Sequence, residues 1–335
     1  MARRRPTQAD VARIAGVSRQ LVSLVVRGDP HVAPATRARV ERALDELSYE
    51  PNSAARTLAT NRSGHVGILV PDLTNPFHGE LTELLVAALA DNGFSAIIAT
   101  GPDAARAGEV AARLPLLGVD ACVLASPRLR AEEVEGLGRT LPTVVLTDDL
   151  HIPHTTLLRA DNRWGLDRAT RHLLTQGYDP VVFLSPPPRS AGDSVHLRTR
   201  GYRDVVEEAG FPPRVHLVDS STTAREVAGH ILQAHGPGVA FACHDDRTAV
   251  SVLMAVADAG LRPGADVGVS GFDNSSLAGL PGVDLTSVDQ GLPQMVELCV
   301  GAIVRALDTG GSGLCEGETV IRPTLVTRTS SLRTS

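Results

Sequence analysis

The chain has 335 residues, of which 43% are hydrophobic and 21% charged, and a formal net charge of −6. This composition is typical of a globular protein, and the length predicts two or three domains. The sequence has no run of about 18 apolar residues, so no membrane span is expected. Four widely spaced cysteines without a C-x-x-C motif favour a reduced, cytoplasmic chain. The basic start MARRRPTQAD is not followed by an apolar stretch, so it is not expected to be a secretory signal.

Charge is distributed unevenly along the chain. Residues 1–62 contain 11 arginines and 6 acidic residues, a net charge of +5, whereas the remainder has a net charge of −11. A basic segment joined to an acidic body indicates a part that binds a polyanion such as nucleic acid. The alternative is a solvated surface whose charge is simply uneven.

Residues 7–48 predict three short helices. Thr7 is the expected N-cap of the first and Ser18 of the second, and the third runs from about Pro34 to Leu47. The predicted apolar positions are Val11, Ile14 and Ala15, then Val22, Val25 and Val26, then Val40, Leu44 and Leu47. Two helices joined by a turn at Gly16, with a third packed across them, match the helix-turn-helix pattern.

The second helix would bury only one side. Its other side carries Arg19, Gln20 and Ser23, which suit the major groove of DNA. A three-helix protein-interaction module is the alternative, but the basic charge of this segment favours DNA.

Residues 52–62 are small and polar and predict a linker, which forms a helix only when supported. After it, apolar strands alternate with amphipathic helices, which predicts two parallel sheets flanked by helices. The predicted strands are 65–70, 95–100, 121–126, 143–147, 156–160, 181–185, 216–219, 239–243 and 267–272. The predicted helices are 77–93, 104–117, 164–176, 198–210, 223–235 and 247–260. Ligands of such sheets bind at the carboxyl ends of the strands, so a cleft between the two sheets is expected.

No catalytic motif is complete. GVSGFDN (268–274) departs from the G-x-S-x-G nucleophile elbow, and neither a dinucleotide fingerprint nor a P-loop is present, so we expect no enzyme and no cofactor. CHDDRTA (243–249) contains metal-binding residue types, but adjacent residues at a strand end point in different directions, so no metal is expected. One of its carboxylates is expected to cap a helix and another to face the cleft. Trp164 is expected to pack against a sheet, and Phe77 to belong to the core or to the cleft wall.

Several motifs occur together in one order and spacing along nearly the whole chain. They are ADVARIAGVS, RARVERALDELSYEPNSAARTLAT, VGILVPDLTNPFHGEL, ADNRWG, HLLTQGY, CHDDRTAV, GVSGFDN and LTSVDQ. With these motifs the sequence resembles transcriptional regulators of the LacI/GalR family.

The resemblance implies an α/β protein with an N-terminal all-α helix-turn-helix headpiece. The implied parts are a DNA-binding domain (1–50), a hinge helix or linker (51–62), and an effector-binding and dimerisation domain (63–335). The last would be a two-lobed, periplasmic-binding-protein-like body with two parallel sheets, and the chain would cross between its lobes near residues 161, 290 and 322. Family members are dimers or tetramers, so a homo-oligomer on pseudo-palindromic double-stranded operator DNA is expected.

The resemblance also implies residue roles. Arg19, Gln20 and Ser23 match positions that face base edges, and Leu58 matches the residue that wedges into the minor groove. Other DNA-binding positions are matched by Thr7, Ser18, His31, Thr36, Asn52 and Arg56. Effector-binding positions are matched by Asn75, Phe77, His78, Ser126, Arg198, Asp245 and Asp273. The implied function is a sequence-specific repressor controlled by a sugar or related metabolite; the alternative is a transport-type solute-binding receptor with no role on DNA.

Three departures from the family pattern are visible. Leu24 stands where an arginine is common, and it is expected either to contact a thymine methyl group or to pack against the headpiece. Ala33 stands where a serine usually caps the third helix. The segment DSSTTARE lacks the aromatic residue that several sugar-binding members place there.

Overall fold

The computed structural model divides into two compact units, residues 1–63 and 64–335. It describes residues 6–26, 29–47, 49, 62–146, 152–188, 193–219, 222–309 and 317–333. The predicted hinge helix lies outside the described residues, and with it Asn52, Arg56 and Leu58.

The first unit contains three described helices: α1 (Gln8–Ala15), α2 (Arg19–Val26) and α3 (Pro34–Glu46). Thr7 caps α1 in a reciprocal capping box with Asp10, and Gly16 ends it with a φ of +62°. The Ser18 hydroxyl accepts a hydrogen bond from the Leu21 amide at 3.2 Å, which caps α2. The three predicted helices and the first two caps are therefore confirmed.

A small apolar core holds these helices together. Its buried members are Val11, Ala12, Ala15, Val22, Val25, Val32, Val40 and Ala43. The prediction for Ile14 was wrong, because this residue is 38% exposed. The buried arc of α1 runs from Val11 through Ala15 to Ala12, and Ile14 lies just outside it, beyond Val11.

The second unit contains two six-stranded sheets. The strands are β1 (His65–Val70), β2 (Ser95–Thr100), β3 (Ala121–Ala125), β4 (Thr143–Leu146), β5 (Thr156–Ala160), β6 (Val181–Ser185), β7 (Val215–Leu217), β8 (Ala240–Cys243), β9 (Gly268–Asp273), β10 (Thr286–Asp289), β11 (Gly317–Ile321) and β12 (Thr324–Val326). The sheet of lobe 1 has the order β11-β5-β4-β3-β1-β2, and that of lobe 2 the order β12-β10-β9-β8-β6-β7. Every neighbouring pair is parallel except β10 and β12.

Helices flank both sheets. They are α4 (Pro76–Asp91), α5 (Ala104–Arg113), α6 (Ala131–Gly138), α7 (Asn162–Thr175), α8 (Ser194–Glu208), α9 (Ala224–His235), α10 (Asp246–Asp258) and α11 (Leu292–Asp308). The predicted helix 104–117 is shorter, because Pro115 starts a separate 3-10 turn. Helix α8 begins four residues earlier than predicted, because Asp193 caps it by accepting from the His196 amide at 2.7 Å.

The chain passes between the two sheets three times: from β5 to α7, from β10 to α11, and from β11 to β12. Helix α11 packs on the lobe 1 sheet through buried residues such as Met295, Cys299 and Ile303. Cys122, Cys243 and Cys299 are buried and form no disulfide with one another, whereas Cys315 lies outside the described residues. These connections place the carboxyl ends of strands from both sheets around one cleft.

Candidate nucleic-acid interface and interlobe cleft

Helix α2 separates an apolar side from a polar one. Val22 and Val25 are buried in the core of the first unit, whereas Arg19 and Gln20 are exposed and Ser23 is partly exposed. Leu24, one turn beyond Gln20, is half-buried and packs against that core. The exposed side thus offers a guanidinium, an amide and a hydroxyl, which are groups that hydrogen-bond base edges.

Other predicted DNA-binding residues stand in turns and caps. The Thr7 hydroxyl donates to Asp10 at 2.7 Å, and Ser18 caps α2. The side chain of His31 is 93% exposed, with Nδ1 3.1 Å from Asp29 Oδ1, and Thr36 lies in the first turn of α3. Thr7 and Ser18 therefore have a structural role whether or not they also contact DNA.

A cavity of about 790 Å³ lies between the lobes of the second unit. All seven residues predicted to bind an effector line it: Asn75, Phe77, His78, Ser126, Arg198, Asp245 and Asp273. Lobe 1 contributes the segments after β1 and β3, and lobe 2 contributes segments after β6, β7 and β8 and the end of β9. This is the expected position for a ligand of parallel α/β sheets.

The local sequence places these side chains through helix caps. The Asn75 side chain accepts from the Phe77 amide at 3.2 Å and starts α4. Asp245 accepts from the Thr248 amide at 2.7 Å and starts α10. Phe77 is 3% exposed and belongs to the lobe 1 core while also lining the cavity, so it fills both roles that the sequence left open.

Arg198 is held rigidly in the cavity wall. Its Nε donates to Asn162 Oδ1 at 2.8 Å, and its Nη1 donates to the His244 carbonyl at 2.5 Å. The guanidinium lies 3.6 Å from the ring centroid of Phe272. The side chain is only 5% exposed, which pre-organises its donors for a ligand.

Asp273 is the counter-charge of Arg198. Its Oδ1 lies 3.8 Å from Arg198 Nη2 and accepts from Gln290 Nε2 at 2.7 Å. Burial raises the pKa of Asp273 well above its usual value, although the Arg198 charge acts in the opposite direction. Its backbone has a φ of +110°, a region that residues with a side chain rarely adopt.

On the lobe 1 side, Asp72 and His78 form a second polar pair. Asp72 accepts from the Thr74 and Asn75 amides, and its carboxylate lies 3.8 Å from His78 Nδ1. Burial lowers the pKa of His78, and the positive charge of Arg247 on lobe 2 adds to this effect. His78 is therefore a neutral hydrogen-bonding group near neutral pH.

The two adjacent carboxylates of CHDDRTA do not divide their roles as expected. Asp245 both caps α10 and lines the cavity, whereas Asp246 is buried behind it. Asp246 accepts from the Ser275 amide and hydroxyl at 2.8 Å and from the Ser287 hydroxyl at 2.5 Å. The expectation that a second carboxylate faces the cleft was wrong, because the first turn of α10 rotates Asp246 into the lobe.

Several cavity residues were not identified from the sequence: Asp72, Arg128, Asp219, His244, Arg247 and Gln290. Each follows a strand or lies in the first turn of a helix, and this position is the sequence feature by which these residues could have been predicted to line the cavity. Trp164 does not line the cavity. The guanidinium of Arg322 lies over its indole ring, 3.8 Å from the ring centroid.

Family models of known proteins match parts of both structural units. Residues 7–52 match the family model described as bacterial regulatory proteins, lacI family, and residues 170–331 match a periplasmic binding protein-like domain. The chain is 30% identical over 291 residues to catabolite control protein A of Priestia megaterium, which covers 84% of this chain and 86% of that protein. The chain belongs to the LacI family.

Further similarities extend over most of the chain. The ribose operon repressor of Escherichia coli K12 is 29% identical over 312 residues, covering 90% of this chain and 93% of the relative. The fold matches a lac repressor dimer bound to operator and the anti-inducer ONPF with a TM-score of 0.83, at 22% identity, covering 98% of this chain and 100% of that one. As a LacI-family member the protein is a DNA-binding transcriptional regulator, which favours this function over a transport-type receptor. Within the described residues, every helix is too short or too polar to span a membrane.

Proposed function

We propose that this LacI-family regulator is a cytoplasmic, non-enzymatic repressor that binds a small hydroxylated effector between its lobes. One observation carries the proposal: a single cavity of about 790 Å³ gathers the seven predicted side chains from both lobes. At the floor of this cavity the buried Arg198 lies beside the buried Asp273. Arg198 can donate hydrogen bonds to the hydroxyl groups of a ligand, and Asp273 can accept hydrogen bonds from them. The similarity to a ribose operon repressor supports a sugar as the effector.

On the DNA side, we propose that Arg19, Gln20 and Ser23 contact base edges. They lie on the exposed side of α2, opposite the buried valines, in the basic part of the chain. Thr7, Ser18, His31 and Thr36 would lie near the phosphate backbone, together with Asn52 and Arg56, and Leu58 would wedge into the minor groove. A homodimer would present two such helices to a pseudo-palindromic operator.

Coupling between the two sites follows from the connections between the lobes. A ligand that contacts both lobes binds one relative orientation more tightly than another and shifts the population towards it. Three crossover segments connect the lobes, and Gln290, which lines the cavity, lies in one of them. Ligand binding therefore changes operator affinity by the difference in its affinity for the two orientations.

The operator part of the proposal is tested by selecting binding sites from a randomised duplex library with the full chain. We expect two-fold symmetric sites whose affinity falls steeply with salt, because bound phosphates release counterions. Arg19→Ala and Gln20→Ala should relax the base preference, whereas Arg106→Ala, on an exposed part of α5, should not. Selected sites without two-fold symmetry, or an unchanged preference in both headpiece variants, would contradict this part of the proposal.

The effector part is tested by a thermal-shift screen of sugars and their derivatives. A ligand of the native state raises the apparent Tm, and that rise should be lost in Arg198→Met, which keeps a long side chain without the charge. The matched control is Arg163→Met, because Arg163 is exposed and pairs with Asp204 outside the cavity. Chemical turnover of a bound compound would disprove the non-enzymatic part.

A further inference from the structure

A hydrogen bond joins the two lobes directly, outside the three crossover segments. The Ser276 amide of lobe 2 donates to Glu80 Oε1 of lobe 1 at 2.8 Å. Glu80 lies in the second turn of α4, and Ser276 follows β9. Neither residue is among those that line the cavity, so this contact belongs to the lobes themselves and not to the ligand site.

The donor belongs to a turn that is anchored in lobe 2. The turn begins at Asp273 and Asn274, whose φ angles are +110° and +47°. Two successive residues with side chains in this region are costly, and they persist only where surrounding contacts hold them. The Asn274 amide donates to the Ser287 hydroxyl at 2.9 Å, and the Ser275 amide donates to Asp246 at 2.8 Å. The next amide along the chain is the one that reaches lobe 1.

The side chain of Asn274 fixes the same turn. Its Oδ1 accepts from Arg328 Nη2 at 2.8 Å, and its Nδ2 donates to Asp289 Oδ2 at 2.9 Å. The Ser275 hydroxyl adds a further hydrogen bond to Asp246 at 2.8 Å. All these partners lie in lobe 2, so the turn moves with that lobe as one rigid piece.

The acceptor belongs to a helix that is fixed in lobe 1. Glu80 is partly buried, and α4 packs into the lobe 1 core through Phe77, Leu81 and Leu85. A carboxylate that accepts from a backbone amide makes a charge-assisted hydrogen bond, which is stronger than one between neutral groups. Because a hydrogen bond is lost beyond about 3.5 Å, this bond is compatible with only a narrow range of lobe orientations.

Both ends of this bond adjoin the cavity. His78 precedes Glu80 by two residues, Asp273 precedes Ser276 by three, and both His78 and Asp273 line the cavity. Burial lowers the pKa of His78, and the charge of Arg247 in lobe 2 lowers it further, so the lobes also approach each other at this end of α4. A ligand that contacts His78 and Asp273 therefore acts on the two segments that carry the bond.

We infer that Glu80 is a latch that holds lobe 1 and lobe 2 in one relative orientation by accepting from the Ser276 amide. An effector that favours another orientation has to break this bond, and an effector that favours this orientation is assisted by it. The regulatory role of the latch rests on the proposed function, because it concerns the same cleft. The latch itself requires neither effector nor DNA.

The first test measures amide hydrogen exchange at single residues in the full-length protein. The Ser276 amide should exchange about tenfold faster in Glu80→Ala than in the wild type, because a hydrogen bond to a charged group is lost. Glu80→Gln, whose side-chain carbonyl can accept the same bond, should keep most of the protection. Glu83→Ala, at an exposed position of the same helix, should leave the exchange rate unchanged.

The Ser275 amide provides an internal control, because its acceptor Asp246 lies in the same lobe. Its exchange rate should be the same in the wild type and in all three variants. An unchanged rate at Ser276 in Glu80→Ala would overturn the inference. So would a faster rate at both amides, because Glu80 would then support the fold of the turn and not the contact between the lobes.

The second test measures affinity for the selected operator duplex with no other compound added. Since the latch favours one lobe orientation, Glu80→Ala should change this affinity at least about fivefold, whereas Glu80→Gln and Glu83→Ala should not. Equal affinity of the wild type and Glu80→Ala would overturn the regulatory role. Failure of the wild type to select any operator would contradict the proposed function and with it the regulatory role, whereas the exchange result would still stand.

Discussion

Two adjacent aspartates in lobe 2, Asp245 and Asp246, show how local surroundings set the pKa of a residue. Burial by itself raises the pKa of Asp245, but the His244 charge and the hydrogen bonds from Thr248 outweigh it and lower the pKa. Burial raises the pKa of Asp246 to about 6, despite hydrogen bonds from Ser287 and Ser275. The pKa values of two adjacent residues in one motif are therefore shifted in opposite directions, which the sequence alone does not reveal.

The raised pKa of Asp246 makes a testable contribution to stability. Since its folded-state pKa of about 6 exceeds the ordinary aspartate value of 3.8, the folded state holds this proton more tightly. The contribution of that proton to stability is lost as the pH rises from about 4 to 6. Asp246→Asn should remove that loss, which amounts to at most about 1.4 kcal/mol per pH unit. Urea unfolding of wild type and variant between pH 4 and 7 measures the difference.

Asp284, in the same lobe, serves as a control because its pKa is shifted in the opposite direction. Hydrogen bonds from the Thr329 side chain and amide lower the pKa of Asp284. Its contribution to stability is therefore present at higher pH and lost as the pH falls through the folded-state pKa, and Asp284→Asn should remove that acid-side loss. Parallel pH profiles for the two variants would contradict the assignment.

At the scale of elements, helix starts were the most predictable feature. Thr7 and Ser18 act as caps, as their residue types predict. Ala33 holds the corresponding position before α3 and offers no side-chain hydrogen bond. One amide in the first turn of α3 therefore lacks the side-chain acceptor that a serine would supply.

Restoring that cap should stabilise the first unit. Ala33→Ser places a hydroxyl where it can accept from the Thr36 amide, which should add about 1 kcal/mol. Native-state hydrogen exchange of the α3 amides in the full chain measures the gain. Ala35→Ser, two residues further along and inside the helix, is the matched control, and an equal gain there would show that capping is not the cause.

The position of Leu24 concerns the surface of α2. This residue lies one turn beyond Gln20, and it is half-buried against the core, so part of its side chain remains on the proposed groove side. Leu24→Arg should therefore change base preference in operator selection at one position per half-site, since arginine selects guanine and an apolar group favours a thymine methyl. Unchanged preference would assign Leu24 to packing alone. Leu21→Met, a volume-conserving change at another half-buried position of α2, controls for disturbed packing.

The elements that were not predicted lie mostly towards the end of the chain. Four of the five residues of β11 are exposed, so this strand lacks an apolar pattern, and β12 has only three residues. Both join sheets whose other strands are distant in sequence, and tertiary pairing rather than local preference forms them.

Site prediction divides in the same way. The seven residues predicted to bind an effector line one cavity, and all of them except Arg198 lie at or soon after the end of a strand. Arg247 lies within the CHDDRTA motif but was not singled out there, and Arg128 belongs to no quoted motif. Both line the cavity because two lobes face one cleft, which is a property of the tertiary structure.

At the scale of the whole molecule, the crossover segments determine how a ligand in the cleft can act elsewhere. Trp164 lies in the first turn of α7, just after the first crossover, and Arg322 belongs to the third. The Asp161 amide also donates to the Ile321 carbonyl at 2.9 Å, so these two segments are directly joined. We therefore expect movement of one lobe against the other to change the contact between Trp164 and Arg322.

Trp164 is the sole tryptophan of the chain and therefore a built-in reporter. Any compound that raises the Tm in the effector screen should also change its emission, because the guanidinium 3.8 Å from the ring centroid shifts with the lobes. Arg322→Ala should bind the same compound and lose most of the emission change. Arg168→Ala removes a second guanidinium, which lies 5.5 Å from the centroid of the same ring. Because Arg168 and Trp164 belong to the same helix, this variant should keep the emission change. An undiminished emission change in Arg322→Ala would mean that Trp164 senses the ligand by another route and that the crossover contact does not follow lobe movement.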